Sequence, residues 1–156
     1  MAFFGKPKDR QLGNIYAKEV NGEPYCFHYY LLDPMFGPYV RVYRGLEVDA
    51  KNLHIDCLGL GIIPAIRKGG WKRIGYLDPG NAKLGPCLYF EPPYPNEWFL
   101  VENGNRKRLG KELPKEYEHL EVFGTANYLV LEERLITGVN RYSARKWLEY
   151  KSKYEK

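Results

Sequence analysis

"ANYLVLEERLITG" (Ala126 to Gly138) decides how this chain is built, because it is where strand-like patterning gives way to a helical rhythm. Leu129, Leu131, Leu135 and Ile136 recur at near-helical spacing, and Gly138 supplies the left-handed residue that commonly ends a helix. "SARKWLEYKSKY" (Ser143 to Tyr154) offers a second helix, with Ser143 as cap and Trp147, Leu148 and Tyr150 as apolar anchors. Glu132, Glu133 and Arg134 read as the solvated face of an amphipathic cover. Leu131 and Leu135 are expected to turn toward a sheet, and Arg134 to tie the helix to an acid such as Glu121. Adjacent helical residues point about 100° apart, so Glu132 and Glu133 cannot easily share a proton or a metal ion.

Upstream, the 16 Gly and 11 Pro fall at short intervals, as they do when short strands are joined by turns. "GNIYAKEV" reads as a strand and Asn21-Gly22 as a type I′ hairpin turn, with "YCFHYYLLD" returning. "DPMFGP" turns again into the half-buried strand "YVRVYRGLE". "LHIDCLGLGIIPAIRKGGWKRIGYL" holds two strand-like runs separated by "RKGG", the first buried on both faces. "CLYF" and "EWFLV" pair around "EPPYPN", and "ENGNRKRL" is a hairpin with Asn103-Gly104 at its tip. "KELPKEYEHLEVFG" holds a short helix or a final strand. The expected fold is one α+β domain over residues 1–156, with a core of roughly 12–150: a twisted antiparallel sheet or partial barrel, its helices concentrated near the C-terminus.

At 156 residues the chain can bury a core without staples, and its three cysteines lack a C-x-x-C pair. Cys57 and Cys87 sit in apolar surroundings and read as small core residues. No signal peptide or membrane span is evident, so a cytoplasmic protein with no membrane partner is expected. Net charge is +5 and sits mostly in residues 61–110, at Arg67-Lys68, Lys72-Arg73 and Arg106-Lys107-Arg108. Such clusters meet phosphates or an acidic protein face, or are simply solvated turns.

No catalytic group is assigned. His28, His54 and His119 stand far apart, without the spacing of a metal site, and no metal or other cofactor is expected. "GLGIIPAIRKGG" is not a phosphate loop, since no Lys-Ser/Thr follows the glycines and no helix is expected to open there. Basic pairs alternate with aromatics in "RKGGWKRIGY", as in single-strand binders, but no RNP, KH or helix-turn-helix pattern accompanies them. Nucleic acid is therefore not the expected partner.

An ordered set of short motifs points elsewhere. "GNIYAKEVNGEPY" opens the chain on Gly13; Trp71, Ile74 and Gly75 follow in "WKRIGYLDP"; Leu120 and Glu121 precede Glu132, Arg134 and Leu135. In this order and spacing, over residues 12–150, the chain resembles the immunity protein 26 family of bacterial polymorphic toxin systems. It departs from the family pattern at Asn14, where an Asp is usual. The resemblance implies a protein that binds a cognate toxin C-terminal domain and blocks it stoichiometrically, with no catalysis of its own. A small metal-dependent hydrolase and a basic nucleic-acid-binding module are the alternatives. Tight inhibition needs a few aromatic or Arg anchors inside a polar rim. The candidates are Tyr29, Tyr30, Met35, Phe36 and Tyr39 around "DPMFGPY", and Tyr94 and Trp98 around "EPPYPNEW", each also suited to filling the core.

Overall fold

The computed structural model is α+β, with two antiparallel sheets, neither closed into a barrel, and its longer helices in the C-terminal half. It describes residues 10–34, 37–91, 97–122, 125–140 and 143–154. The chain folds as two compact units, Met1–Ala82 with Thr125–Gly138, and Lys83–Gly124 with Val139–Lys156.

The first unit is a five-stranded sheet in the order β4-β3-β2-β1-β5. Its strands are β1 (Asn14–Val20), β2 (Glu23–Asp33), β3 (Gly37–Arg44), β4 (Leu53–Gly59) and β5 (Lys72–Tyr76). The β1–β2 turn is set by Asn21 and Gly22 at φ 54° and 84°, the double left-handed geometry that Asn-Gly accepts most readily. Six consecutive residues of β2, Tyr25 to Tyr30, are buried, so this strand is covered on both faces. One face carries Tyr16, Phe27, Tyr29, Val40 and Val42 against α1 (Ile62–Arg67) and α2 (Tyr128–Thr137). Leu131 and Leu135 are the buried residues of α2, while Leu129 and Ile136 face solvent. Asn127 caps the helix by accepting from the Leu129 amide at 2.8 Å, and Gly138 closes it at φ 75°.

Helix α1 corrects the expectation that no helix opens after the glycine run. Ile62 and Ala65, three apart, are buried while Ile63 is exposed, which is helical and not strand periodicity. Pro64 lies in the first turn, where its missing N–H costs no bond.

The second unit pairs β6 (Cys87–Glu91), β7 (Glu97–Glu102) and β8 (Asn105–Gly110) in sequence order. Asn103 and Gly104, at φ 53° and 76°, repeat the Asn-Gly turn chemistry between β7 and β8. Leu88, Trp98 and Leu100 pack with Ala144, Trp147 and Leu148 of α3 (Ala144–Tyr154). Trp98 meets Trp147 edge to face at 5.4 Å between ring centres. Ser143 takes its expected capping place, accepting from the Lys146 amide at 3.3 Å. The described part of the "KELPKEYEHLEVFG" segment forms a 3-10 turn, Lys115–Tyr117, and isolated bridges that join Leu88 to Val122 and Glu121 to Ser143.

Candidate functional site

Four of the motif residues, Gly13, Trp71, Gly75 and Glu132, gather around one strand, β5. Trp71, fully buried, enters β5 with its amide bonded to the Ala65 carbonyl at 3.2 Å and its ring 5.0 Å from Phe27. Its indole Nε1–H donates to Glu132 Oε2 at 3.3 Å, and the other oxygen of the same carboxylate accepts from Lys18 Nζ at 2.7 Å. Glu132 thus links helix, sheet and strand entry in one node. Sequence spacing gave no sign of this, since Lys18 and Glu132 are 114 residues apart. At the other end of β5, the Leu77 amide donates to the Gly13 carbonyl at 2.9 Å. Gly13 sits at φ 102° beneath the Tyr76 ring, where a Cβ would collide with that ring. Gly75 lies opposite Ile15, and Arg73 Nε donates to the buried Asn14 Oδ1 at 2.9 Å. The position where the family pattern carries Asp therefore holds an amide that accepts from Arg73 and donates to Tyr16 Oη at 3.1 Å. Glu121 lies in the second unit, where it accepts from Asn140 Nδ2 at 2.9 Å.

This bracing holds an apolar surface in water. β5 is an edge strand, and Ile74, Tyr76 and Leu77 are each about half exposed beside exposed Lys72 and Arg73. An exposed apolar group rimmed by charge on a rigid element is the composition of a protein-binding patch.

The sequence-predicted anchors fare differently. Tyr29, Tyr30, Tyr39 and Trp98 are all buried, at 6%, 1%, 2% and 1% exposure, so they fill the interior and offer no open surface. Tyr29 belongs to the core of the first unit and also lines a cavity of about 420 Å³, walled by Arg10, Pro38, Ile62, Ile63 and Pro64. Met35, Phe36 and Tyr94 lie outside the described residues.

A second arrangement, on β3, was not foreseen. Arg41 pairs in register with His28 of β2, which slips further along, between Tyr29 and Leu31, while β4 slips opposite the Val40–Val42 step. Tyr30 lies under the Arg41 guanidinium, 4.1 Å from ring centre to Cζ, and Asp56 reaches its Nε at 2.9 Å. Cys57, next in β4, takes φ 44°, a left-handed conformation seldom adopted by a residue with a side chain. Partial burial opposes the charge of Arg41, but the hydrogen bond to Asp56 and the Asp56 charge outweigh it and hold its pKa above the ordinary value. Burial, reinforced by the neighbouring Cys57 thiol, pushes the Tyr30 hydroxyl far up, so it stays protonated. Burial likewise raises the Cys26 thiol to about 11, which keeps it an unreactive core group.

His28, on the same sheet, is buried and donates from Nε2 to the Leu77 carbonyl at 2.8 Å. Burial, aided by Arg41 and opposed by the Leu77 bond, sets its pKa below 6.5. His54 shifts the same way, through burial and then the charges of Arg44 and Arg134. The unfolded chain therefore binds more protons in mild acid. Stability should be complete above the unfolded value and decline as pH falls through it toward the folded values. Thermal melts between about pH 8 and pH 5 should show the loss, and His28→Gln, which can still donate to Leu77, should flatten it.

In the second unit, the β6–β8 face carries Tyr89 stacked on Phe99 at 4.9 Å and 11°, with Arg106 5.4 Å above Tyr89 and Arg108 paired to Glu97. Among the described residues, no three His, Cys, Asp or Glu side chains group to hold a metal ion. Among the same residues, no helix is long and apolar enough to cross a membrane. Set against known proteins, the chain matches no family model, no curated protein and no solved structure.

Proposed function

We propose that the chain is an immunity protein: it binds the C-terminal domain of a cognate toxin and neutralises it as a stoichiometric inhibitor, in the cytoplasm and without catalysis of its own. The observation that carries this reading is the braced edge strand. Ile74 and Tyr76 of β5 and Leu77 just after it are half exposed, and Trp71, Glu132 and Gly13 fix the strand in place. An apolar group held rigidly in water loses little conformational entropy when a partner covers it, the condition for a tight and slowly dissociating complex. The ordered motifs that resemble the immunity protein 26 family support the same reading, since Gly13, Trp71, Gly75 and Glu132 all belong to this brace.

An immunity gene normally lies just downstream of its toxin, so the preceding reading frame supplies the test partner. Co-expression of that frame's C-terminal domain with this chain should restore growth and yield an equimolar complex on purification. Growth arrest with no co-purification would sink the reading. A second reading, as a basic nucleic-acid binder, is favoured by the Tyr89–Phe99 stack under Arg106. It requires affinity for single strands that falls steeply with salt, and a flat response removes it.

A further inference from the structure

We propose that Arg41 is an oxyanion receptor, and that it seats a carboxylate of the protein partner; this second step rests on the immunity reading above. Arginine side chains on a sheet face normally sample many rotamers, and ordering one is entropically costly. Here that cost is met within the fold. The Tyr30 ring lies under the guanidinium at 4.1 Å, and Asp56 holds Nε at 2.9 Å from the side. The Asp56 contact uses Nε, which leaves the two Nη groups, the half of the fork that binds a carboxylate side by side, without a partner among the described residues. The Arg41 side chain is 33% exposed, so an incoming group can reach that half.

The backbone is shaped around the same point. Strand β4 breaks register opposite Arg41, where Cys57 accepts a left-handed φ of 44° that glycine would adopt with ease, and β2 breaks register at Tyr30. Bulges and backbone strain of this kind re-aim side chains, and they concentrate where a site must be pre-organised. A roof for Tyr30 alone would need neither the lateral carboxylate nor two bulges. Asp56 is itself 47% exposed, so its bond to Arg41 spends solvent-accessible charge on holding one orientation. Row pairing sets Gly75, Ile15, His28 and Arg41 side by side across β5, β1, β2 and β3. Three strand spacings put Arg41 roughly 14 Å from Gly75 at the edge of the sheet.

The test uses the full chain and two probes. In the first, the Nε–H resonance of Arg41 is followed while sodium phosphate is added, with sodium chloride at matched ionic strength beside it. A saturating shift with phosphate, absent with chloride and lost in Asp56→Asn, is expected. Equal shifts with both salts, or none, overturn the receptor. In the second, the toxin domain is titrated against wild type and Arg41→Lys, which keeps the charge but removes the planar fork. A loss of about tenfold or more is expected, with the melting temperature of the free variant within a few degrees of wild type. Wild-type affinity in Arg41→Lys overturns the partner carboxylate even if phosphate binds, making free phosphate the occupant. Absence of any toxin complex sinks the immunity reading instead, and is told apart by the phosphate arm.

Discussion

Trp71→Ala should lower the stability of the first unit by about 3–5 kcal/mol, the range for deleting a fully buried indole. The ring is completely inaccessible, packs on Phe27, and occupies the entry to β5 where little else can collapse into the space. Its loss also takes a donor from Glu132, leaving a half-buried carboxylate with Lys18 alone. Trp71→Phe separates the two effects, because it refills much of the volume without replacing the N–H. It should cost about 1–2 kcal/mol less than the alanine variant. Glu132→Gln keeps an acceptor for the indole but ends the ion pair, and should cost about 1–3 kcal/mol. Urea unfolding followed by far-ultraviolet circular dichroism measures all three. A Trp71→Ala midpoint equal to wild type would show that β5 is not held as described. Because the same residues brace the exposed Ile74, Tyr76 and Leu77, the proposed immunity function implies that Trp71→Ala also weakens toxin binding without touching the partner.

The turns were the most legible part of this fold, and the reason is local. Asn21-Gly22 and Asn103-Gly104 carry their backbone geometry in two residues, and both adopt it. Helix α2 was legible through Gly138 and the buried pair Leu131 and Leu135. Helix α1 was missed because six residues are too few to display a period, and flanking glycines make a short apolar run look like a strand. The tyrosines of β2 misled for a different reason. A strand covered on both faces does not alternate, and tyrosine is at home both in a core and on an interface. Nothing in the residues alone says that Tyr30 lies beneath Arg41. The register slips near it fall at positions without glycine, one of them beside Cys57 in a left-handed conformation. The Glu132 node is invisible for the same kind of reason, since it joins residues from β1, the β5 entry and α2. Its glutamate reads as solvated until Lys18 and Trp71 are seen to converge on it.

Gly85→Ala should be the most damaging small substitution in the second unit, costing more than about 4 kcal/mol. Gly85 stands before β6 at φ 117°, where an L-residue is strained by about 1–3 kcal/mol before any contact is counted. A Cβ there would strike the Val101 carbonyl oxygen, with Glu102 Cα only 2.8 Å away. These are backbone atoms of β7, so no side chain can swing aside, and the strand itself would have to move. Val101 pairs with Cys87 and Arg106, which means the displacement spreads to both neighbouring strands. Gly110 provides the control within the same unit. Its φ is 99°, nearly the same strain, yet nothing lies within 4 Å of its Cβ position. Gly110→Ala should therefore cost only the conformational part, about 1–3 kcal/mol, and the difference between the two variants isolates the collision. Thermal melts give the two totals, and amide exchange locates the damage: β6–β8 amides should lose protection in Gly85→Ala and keep it in Gly110→Ala. Equal losses in the two variants would mean that backbone strain alone governs both sites, and that β7 yields more easily than its pairing on both sides implies.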